Sequence, residues 1–360
     1  MRDVLATIQN WRAEGKDVAL ATVVKIEGSA PRREGARLAV SDAGEMSGSV
    51  SGGCVENDVI HHAQKVLASG TPRLLNYAIS DDMIWDVGLA CGGAVHVWIE
   101  RLADTTNPQP TPQSQLQIAL ERALVEEHTI VQAISLDGPT PGEKLLVWPS
   151  GETTGSLGSE ALDRQVVADA LALMARPRAE LRAYAKPAAQ VFVEVFSPPP
   201  HLVILGGVHI AIPLTTIAKT LGYQVTIADP RTQFANRDRF PYADHIIPKW
   251  PRKAVEELEI TSSTYCVVLT HDPKIDEPAL KSLLGKGAGY IGAIGSRKTH
   301  TERFERMARL GIDAGQLAEV YAPIGLDLGA ETPEEIALAI LAEIVAVRRG
   351  ALGGFLRDKV

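Results

Sequence analysis

Two of the three cysteines stand among glycines, in Ser51-Gly52-Gly53-Cys54-Val55-Glu56 and Gly88-Leu89-Ala90-Cys91-Gly92-Gly93. Glycine removes the side-chain wall around a thiol, lets the backbone turn freely and leaves amide groups able to face a ligand. Each segment reads as a thiol displayed on a bare, tight loop. Such a thiol can serve as a thiolate, a soft metal ligand or a redox group. Cys54 also falls at or just before the start of a helix expected over 55–67. The partial positive charge at a helix N-terminus favours the thiolate form. The third cysteine, inside Tyr265-Cys266-Val267-Val268-Leu269, reads as core.

The flanking sequence supplies the elements that would hold these loops. Residues 3–14 carry Val4, Leu5, Ile8 and Trp11 at helical spacing. Residues 18–24 and 36–40 read as strands, and Asp42-Ala43-Gly44-Glu45 as a hairpin turn. Gly28-Ser29-Ala30-Pro31-Arg32-Arg33 is a turn with two adjacent cations. Residues 74–77 and 94–100 are strands on either side of the second cysteine loop. The polar, proline-rich stretch 104–114 reads as a linker. A helix over 115–127, paired strands at 130–134 and 145–148, a helix over 160–175 and a strand at 190–195 follow.

After Ser197-Pro198-Pro199-Pro200 the texture changes. Strands at 202–205, 224–228, 245–247, 264–269 and 290–294 alternate with helices over 210–221, 277–284, 298–310 and 333–348. That alternation predicts a parallel sheet with crossover helices. The fold class expected is α/β. An N-terminal α+β domain with the cysteine loops covers 1–103, and a linker 104–114. An intermediate α+β segment over 115–197 packs with the N-terminal part. A C-terminal Rossmann-like domain covers 198–360.

The chain has 360 residues, 45% of them hydrophobic, and a formal net charge of −8. The acidic balance and the absence of a Lys/Arg block disfavour a nucleic-acid partner. No stretch approaches the roughly 20 apolar residues of a membrane span. Three cysteines in this length do not make a disulfide framework, so a reducing cytoplasm is expected.

Within the second half, His201-Leu202-Val203-Ile204-Leu205-Gly206-Gly207-Val208-His209-Ile210-Ala211 reads as strand, turn and helix start. Asp229 ends the next strand, where a ribose-binding carboxylate belongs in a dinucleotide fold. Val208 stands where the usual pattern has its second glycine. A β-branched side chain there would intrude on the phosphate path and disfavour positive φ, which argues against NAD(P). His271, in Leu269-Thr270-His271-Asp272, lies past the carboxyl end of a strand, where open α/β sheets bind ligands. Gly295-Ser296-Arg297 opens a helix, a natural anion seat with an added cation. Thr332, Pro333 and Glu335 make a capping box.

Taken together, the Gly28–Arg32 turn, the Cys54 segment and Cys91-Gly92-Gly93 resemble the N-terminal domain of xanthine dehydrogenase accessory factors (XdhC/CoxI type). Leu269-Thr270-His271-Asp272, Ile294-Gly295-Ser296-Arg297, Ala322-Pro323-Ile324-Gly325-Leu326-Asp327 and Thr332-Pro333-Glu334-Glu335-Ile336 resemble that family's Rossmann domain. The resemblance implies a cytoplasmic chaperone that binds the molybdenum cofactor. It implies help with sulfuration by a cysteine desulfurase, delivery to a molybdenum hydroxylase client, and a homodimer. It implies that Cys54 or Cys91 coordinates the metal or relays sulfur. Arg32, Arg33 and the amides of Gly52, Gly53, Gly92 and Gly93 would meet cofactor phosphate. Glu56 would cap a backbone amide or contact a pterin edge, and His271, Ser296 and Arg297 would add contacts.

Three other readings stay open on the residues alone. One is an NAD(P)-dependent oxidoreductase with His271 as acid or base. Another is a thiol redox pair of Cys54 and Cys91. The last is a zinc site in which His61, His62 or His96 joins the cysteines.

Overall fold

The computed structural model describes residues 1–77, 93–107, 109–138, 140–174 and 178–358. Cys91 and Gly92, named above as candidate ligands, lie outside them. The chain divides into two units, Met1–Pro198 and Pro199–Val360.

The first unit is built on two antiparallel sheets. β1 (Val18–Glu27), β2 (Arg37–Ser41), β3 (Met46–Gly48), β4 (Arg73–Tyr77) and β5 (Ala94–Arg101) run in the order β3-β2-β1-β5-β4. β6 (Ile130–Ser135), β7 (Lys144–Val147), β8 (Thr153–Gly155), β9 (Ala179–Ala185) and β10 (Ala188–Phe196) run β8-β7-β6-β10-β9. β1 is apolar on both faces because both are covered. Ala19, Ala21 and Val23 pack with Val55, Val59, Ala63 and Val66 of the α2 (Glu56–Ser69) side. Val18 and Leu20 pack with α1 (Arg2–Ala13) and α3 (Pro112–Val125). Val24, Trp98, Ile134 and Phe192 join the two sheets. α4 (Glu160–Met174) covers the second sheet through Leu162, Val166, Ala170 and Leu173.

α3 starts at Pro112, inside the stretch expected to be linker. Thr111 caps it by accepting the Ser114 N–H at 3.1 Å, and proline suits the first helical position. β9 carries no clear apolar alternation, as suits a strand at a sheet edge, and the sequence reading passed over it.

The second unit holds a six-stranded parallel sheet: β11 (His201–Leu205), β12 (Gln224–Ala228), β13 (His245–Ile247), β14 (Thr264–Val268), β15 (Tyr290–Ala293) and β16 (Val320–Tyr321). Its order, β13-β12-β11-β14-β15-β16, reverses between β11 and β14. That reversal is the Rossmann-type switch point. Leu202 and Ile204 point to the face covered by α5 (Ala211–Thr220) and α10 (Pro333–Arg349). Val203 and Leu205 point to the other, covered by α6 (Pro251–Glu256), α7 (Pro273–Leu283) and α8 (Arg297–Arg309). A four-residue helix, α9 (Ala314–Leu317), precedes β16. The capping box of Thr332 and Glu335 opens α10 as expected, and Gly350 closes it in the left-handed region. α7 begins four residues earlier than its expected start at 277, because Asp272 caps it and Pro273 takes its first position. Cys266 is fully buried, and that burial pushes its thiol up to about 12.

Candidate functional site

Cys54 is exposed, one residue before Val55, the residue that precedes α2. The loop carrying it closes around a single carboxylate. Glu56 Oε1 accepts the amides of Val50 at 3.2 Å, Ser51 at 2.9 Å and Gly52 at 3.1 Å. Its Oε2 accepts the Gly53 amide at 2.8 Å. Ser49 Oγ donates to Oε1 at 2.7 Å, and Ser51 Oγ donates to Oε2. Ser51 Oγ in turn accepts the amides of Cys54 and Val55, both at 3.0 Å. Every backbone N–H from Val50 to Val55 therefore has an acceptor on a side chain of the same loop. Burial alone would raise the Glu56 pKa. The hydroxyls of Ser51 and Ser49 and the Ser51 amide outweigh it and hold the pKa at about 2.

This geometry gives Glu56 the first of its two expected roles, capping backbone amides. It also changes the part open to Gly52 and Gly53. Their amides serve Glu56, so the glycines act through conformation: φ is +80° at Gly52 and +117° at Gly53, where other residues are strained. Ser49 and Ser51 were not singled out in the sequence. The usable signal was two serines and a glutamate bracketing a pair of glycines, a run of amides in need of an acceptor.

The turn with two cations lies against this loop. A Cβ built on Gly52 would sit 3.6 Å from Pro31 Cβ, and Arg32 Nε donates to the Ser49 carbonyl at 3.2 Å. Arg32 is half-exposed and Arg33 exposed. Gly93 approaches the same turn. A Cβ there would meet the Ser29 carbonyl oxygen at 2.4 Å and that of Glu27 at 2.6 Å, so only glycine fits. The Gly28–Arg32 segment is thus the common neighbour of the Cys54 loop and of Gly93.

Of the histidines considered as zinc ligands, His61 is exposed on α2. His62 lies 3.8 Å from Asp58, and His96 Nδ1 meets Asn76 Oδ1 at 2.6 Å. Burial, together with Lys25, lowers the His96 pKa. Among the described residues no three of His, Cys, Asp and Glu gather as a metal site.

In the second unit, Val208 has no positive φ and packs against the core beneath α5. The backbone objection raised by its β-branched side chain therefore does not apply to the turn as built. Asp229 is fully buried, and its carboxylate is already engaged. Oδ1 accepts from Arg231 N and Nε, both at 2.9 Å, and Oδ2 from Arg231 Nη2 at 2.8 Å and the Gly207 amide at 2.9 Å. Burial would raise its pKa; Arg231 and these amides bring it below the usual range. Arg231 lies over the Phe234 ring, 4.0 Å from its centroid.

His271 and Arg297 are exposed past the carboxyl ends of the adjacent strands β14 and β15. Ser296 caps α8, its Oγ accepting the Thr299 amide at 3.2 Å. Beneath these loops lies a buried network that the sequence reading missed. Asp276 accepts from Thr270 Oγ1 and, at 2.7 Å, from Arg303 Nη2; Arg303 Nη1 also lies 3.1 Å from His300 Nδ1. Its signal was a charged residue on the inward face of each helix.

Comparisons with known proteins cover both units. The model of the XdhC and CoxI family matches residues 11–78 and 128–185, and the model of the XdhC Rossmann domain matches residues 202–344. A protein of Bacillus subtilis named as a probable xanthine dehydrogenase subunit is 27% identical over 336 residues, 93% of this chain and 94% of that protein. "Molybdenum cofactor insertion chaperone PaoD" of Escherichia coli is 26% identical over 335 residues, 93% of this chain and 84% of that one. The crystal structure of a xanthine dehydrogenase from Bacillus halodurans superposes with a TM-score of 0.75 at 26% identity, covering 96% of each chain. With family matches spread over both units and likeness along nearly the whole length, the chain belongs to the XdhC and CoxI family.

Proposed function

We propose that this protein binds the molybdenum cofactor as cargo and inserts it into a xanthine dehydrogenase-type hydroxylase. Support comes from the relative named as a molybdenum cofactor insertion chaperone and the one named as a probable xanthine dehydrogenase subunit. The observation that carries the reading is the exposed Cys54 thiol on a loop whose amides Glu56 and Ser51 already satisfy. A molybdenum centre held by a dithiolene takes soft sulfur ligands, and Cys54 offers one from a fixed backbone. Cys91 is proposed as a second sulfur ligand. Arg32 and Arg33 meet the cargo's phosphate, a task the engaged amides of Gly52 and Gly53 leave to them. His271, Ser296 and Arg297 offer anion contacts at the sheet end of the second unit. The finer parts of the proposal are a cysteine desulfurase that supplies the sulfido ligand, a cytoplasmic setting and a homodimer.

The test uses the full chain. Purified protein is mixed with molybdenum cofactor, passed through gel filtration, and assayed for co-eluting molybdenum. Cys54→Ala is expected to retain markedly less than the parent protein, and Cys91→Ala to retain less. Equal retention by all three removes the thiols from the proposal.

A further inference from the structure

α6, α7 and α8 enclose a groove of about 730 Å³ on the second unit. On α7, Lys274, Pro278 and Lys281 follow at i, i+4 and i+7 and share one exposed face. The opposite face, with Ile275, Ala279, Leu280 and Leu283, is buried. Lys286, in the turn after α7, extends the same wall, and Leu310, 59% exposed, lies across from it.

The charge in this groove is lopsided. Its two acidic residues are both paired, Glu256 with Arg252 at 3.0 Å and Glu277 with Arg306 at 2.6 Å. Lys274, Lys281 and Lys286 have no carboxylate partner among the described residues. Three uncompensated cations thus gather on a chain whose net charge is −8. Pro278, exposed on α7, and Leu310 add apolar surface to the groove.

An occupant that complements this groove brings carboxylates for the lysines and an apolar side chain for Pro278 and Leu310. An acidic peptide has both. A phosphodiester backbone supplies negative charge without the apolar anchor. We infer that this groove docks an acidic, leucine-bearing peptide segment of a partner protein.

The test titrates the full chain into a short fluorescein-labelled peptide of glutamate and leucine and follows anisotropy. Binding is expected to weaken with added salt, and by about tenfold or more in Lys274→Glu/Lys281→Glu/Lys286→Glu. Leu310→Asp is expected to weaken it as well. Circular dichroism checks that each variant folds. Should the triple variant not fold, Lys274→Glu and Lys286→Glu decide singly, each expected to weaken binding about twofold to threefold. Equal binding by the parent and the folded charge variants overturns the inference. So does the absence of peptide binding at about millimolar protein. Phosphatidylglycerol vesicles and duplex DNA serve as competitors, and tighter, lysine-dependent binding of either also overturns it.

Discussion

Ser51 joins Glu56 to Cys54, its hydroxyl donating to the carboxylate and accepting the cysteine amide at 3.0 Å. The position of the thiol is therefore set by a carboxylate two residues further along the chain.

Removing that carboxylate should loosen the loop. Glu56→Ala strands the amides of Val50, Ser51 and Gly53 and two hydroxyls, while the Gly52 amide keeps Ser49 Oγ at 2.9 Å; the change is expected to cost about 2–3 kcal/mol in urea unfolding. Glu56→Gln keeps the shape and should cost less. Native-state hydrogen exchange at Ser51 and Gly53 should speed up in both. Unchanged exchange would mean the loop is held by something else.

The same carboxylate sets an acid limit. Its folded pKa of about 2 lies below the ordinary 4.5, so its contribution is complete above about pH 4.5 and is lost as pH falls towards 2. Stability measured from pH 6 down to pH 2 should fall less steeply in Glu56→Gln than in the parent protein. Parallel curves would sink this assignment.

The two described cysteines should differ in reactivity. In a Cys91→Ser background, a disulfide reagent should titrate Cys54 rapidly in the native protein, because it is exposed. Cys266, buried with its thiol pushed up to about 12, should react only in denaturant. Rapid native labelling after Cys54→Ser is added would contradict this.

Arg37 and Glu194 pair between the two sheets of the first unit, with the Arg37 side chain only 2% exposed. Glu194→Ala leaves that guanidinium buried without its counter-charge, at an expected cost of about 3–5 kcal/mol. Arg37→Met with Glu194→Leu should recover much of the loss. If the single substitution proves neutral in urea unfolding, the pair does not hold the sheets together.

Val208→Gly tests the glycine turn. Restoring the dinucleotide pattern at this position is not expected to create NADH affinity tighter than about 1 mM, because Asp229 remains engaged by Arg231 and Gly207. The loss of a valine that packs on the core should lower stability by about 1 kcal/mol. Micromolar binding of NADH, by the parent or the variant, would revive the oxidoreductase reading.

The sequence showed most clearly the elements that carry strong local signals. β1 is a long apolar run, α10 opens on a complete capping box, and α2 starts directly after the Cys54 segment. Elements without such signals were passed over. α6 has six residues and β16 two, too short for periodicity to register. Pro278 inside α7 mimics a helix start and concealed the true one at Pro273. The thiol's display on a loop was legible from its glycines. The carboxylate that organises that loop was not, because spacing alone cannot tell whether Glu56 turns inward to the amides or outward to a ligand. Asp229 was hidden in the same way, since its position suits a ribose and only its contacts reveal Arg231.

Because every amide from Val50 to Val55 is met by a side chain of the same loop, an incoming ligand meets a surface that is already ordered. Association then carries little penalty for freezing the backbone, and departure releases little. On the proposed reading, the bond to the Cys54 sulfur and the ligand's charge would then set the residence time, and a competing donor would displace the thiol without any refolding of the loop.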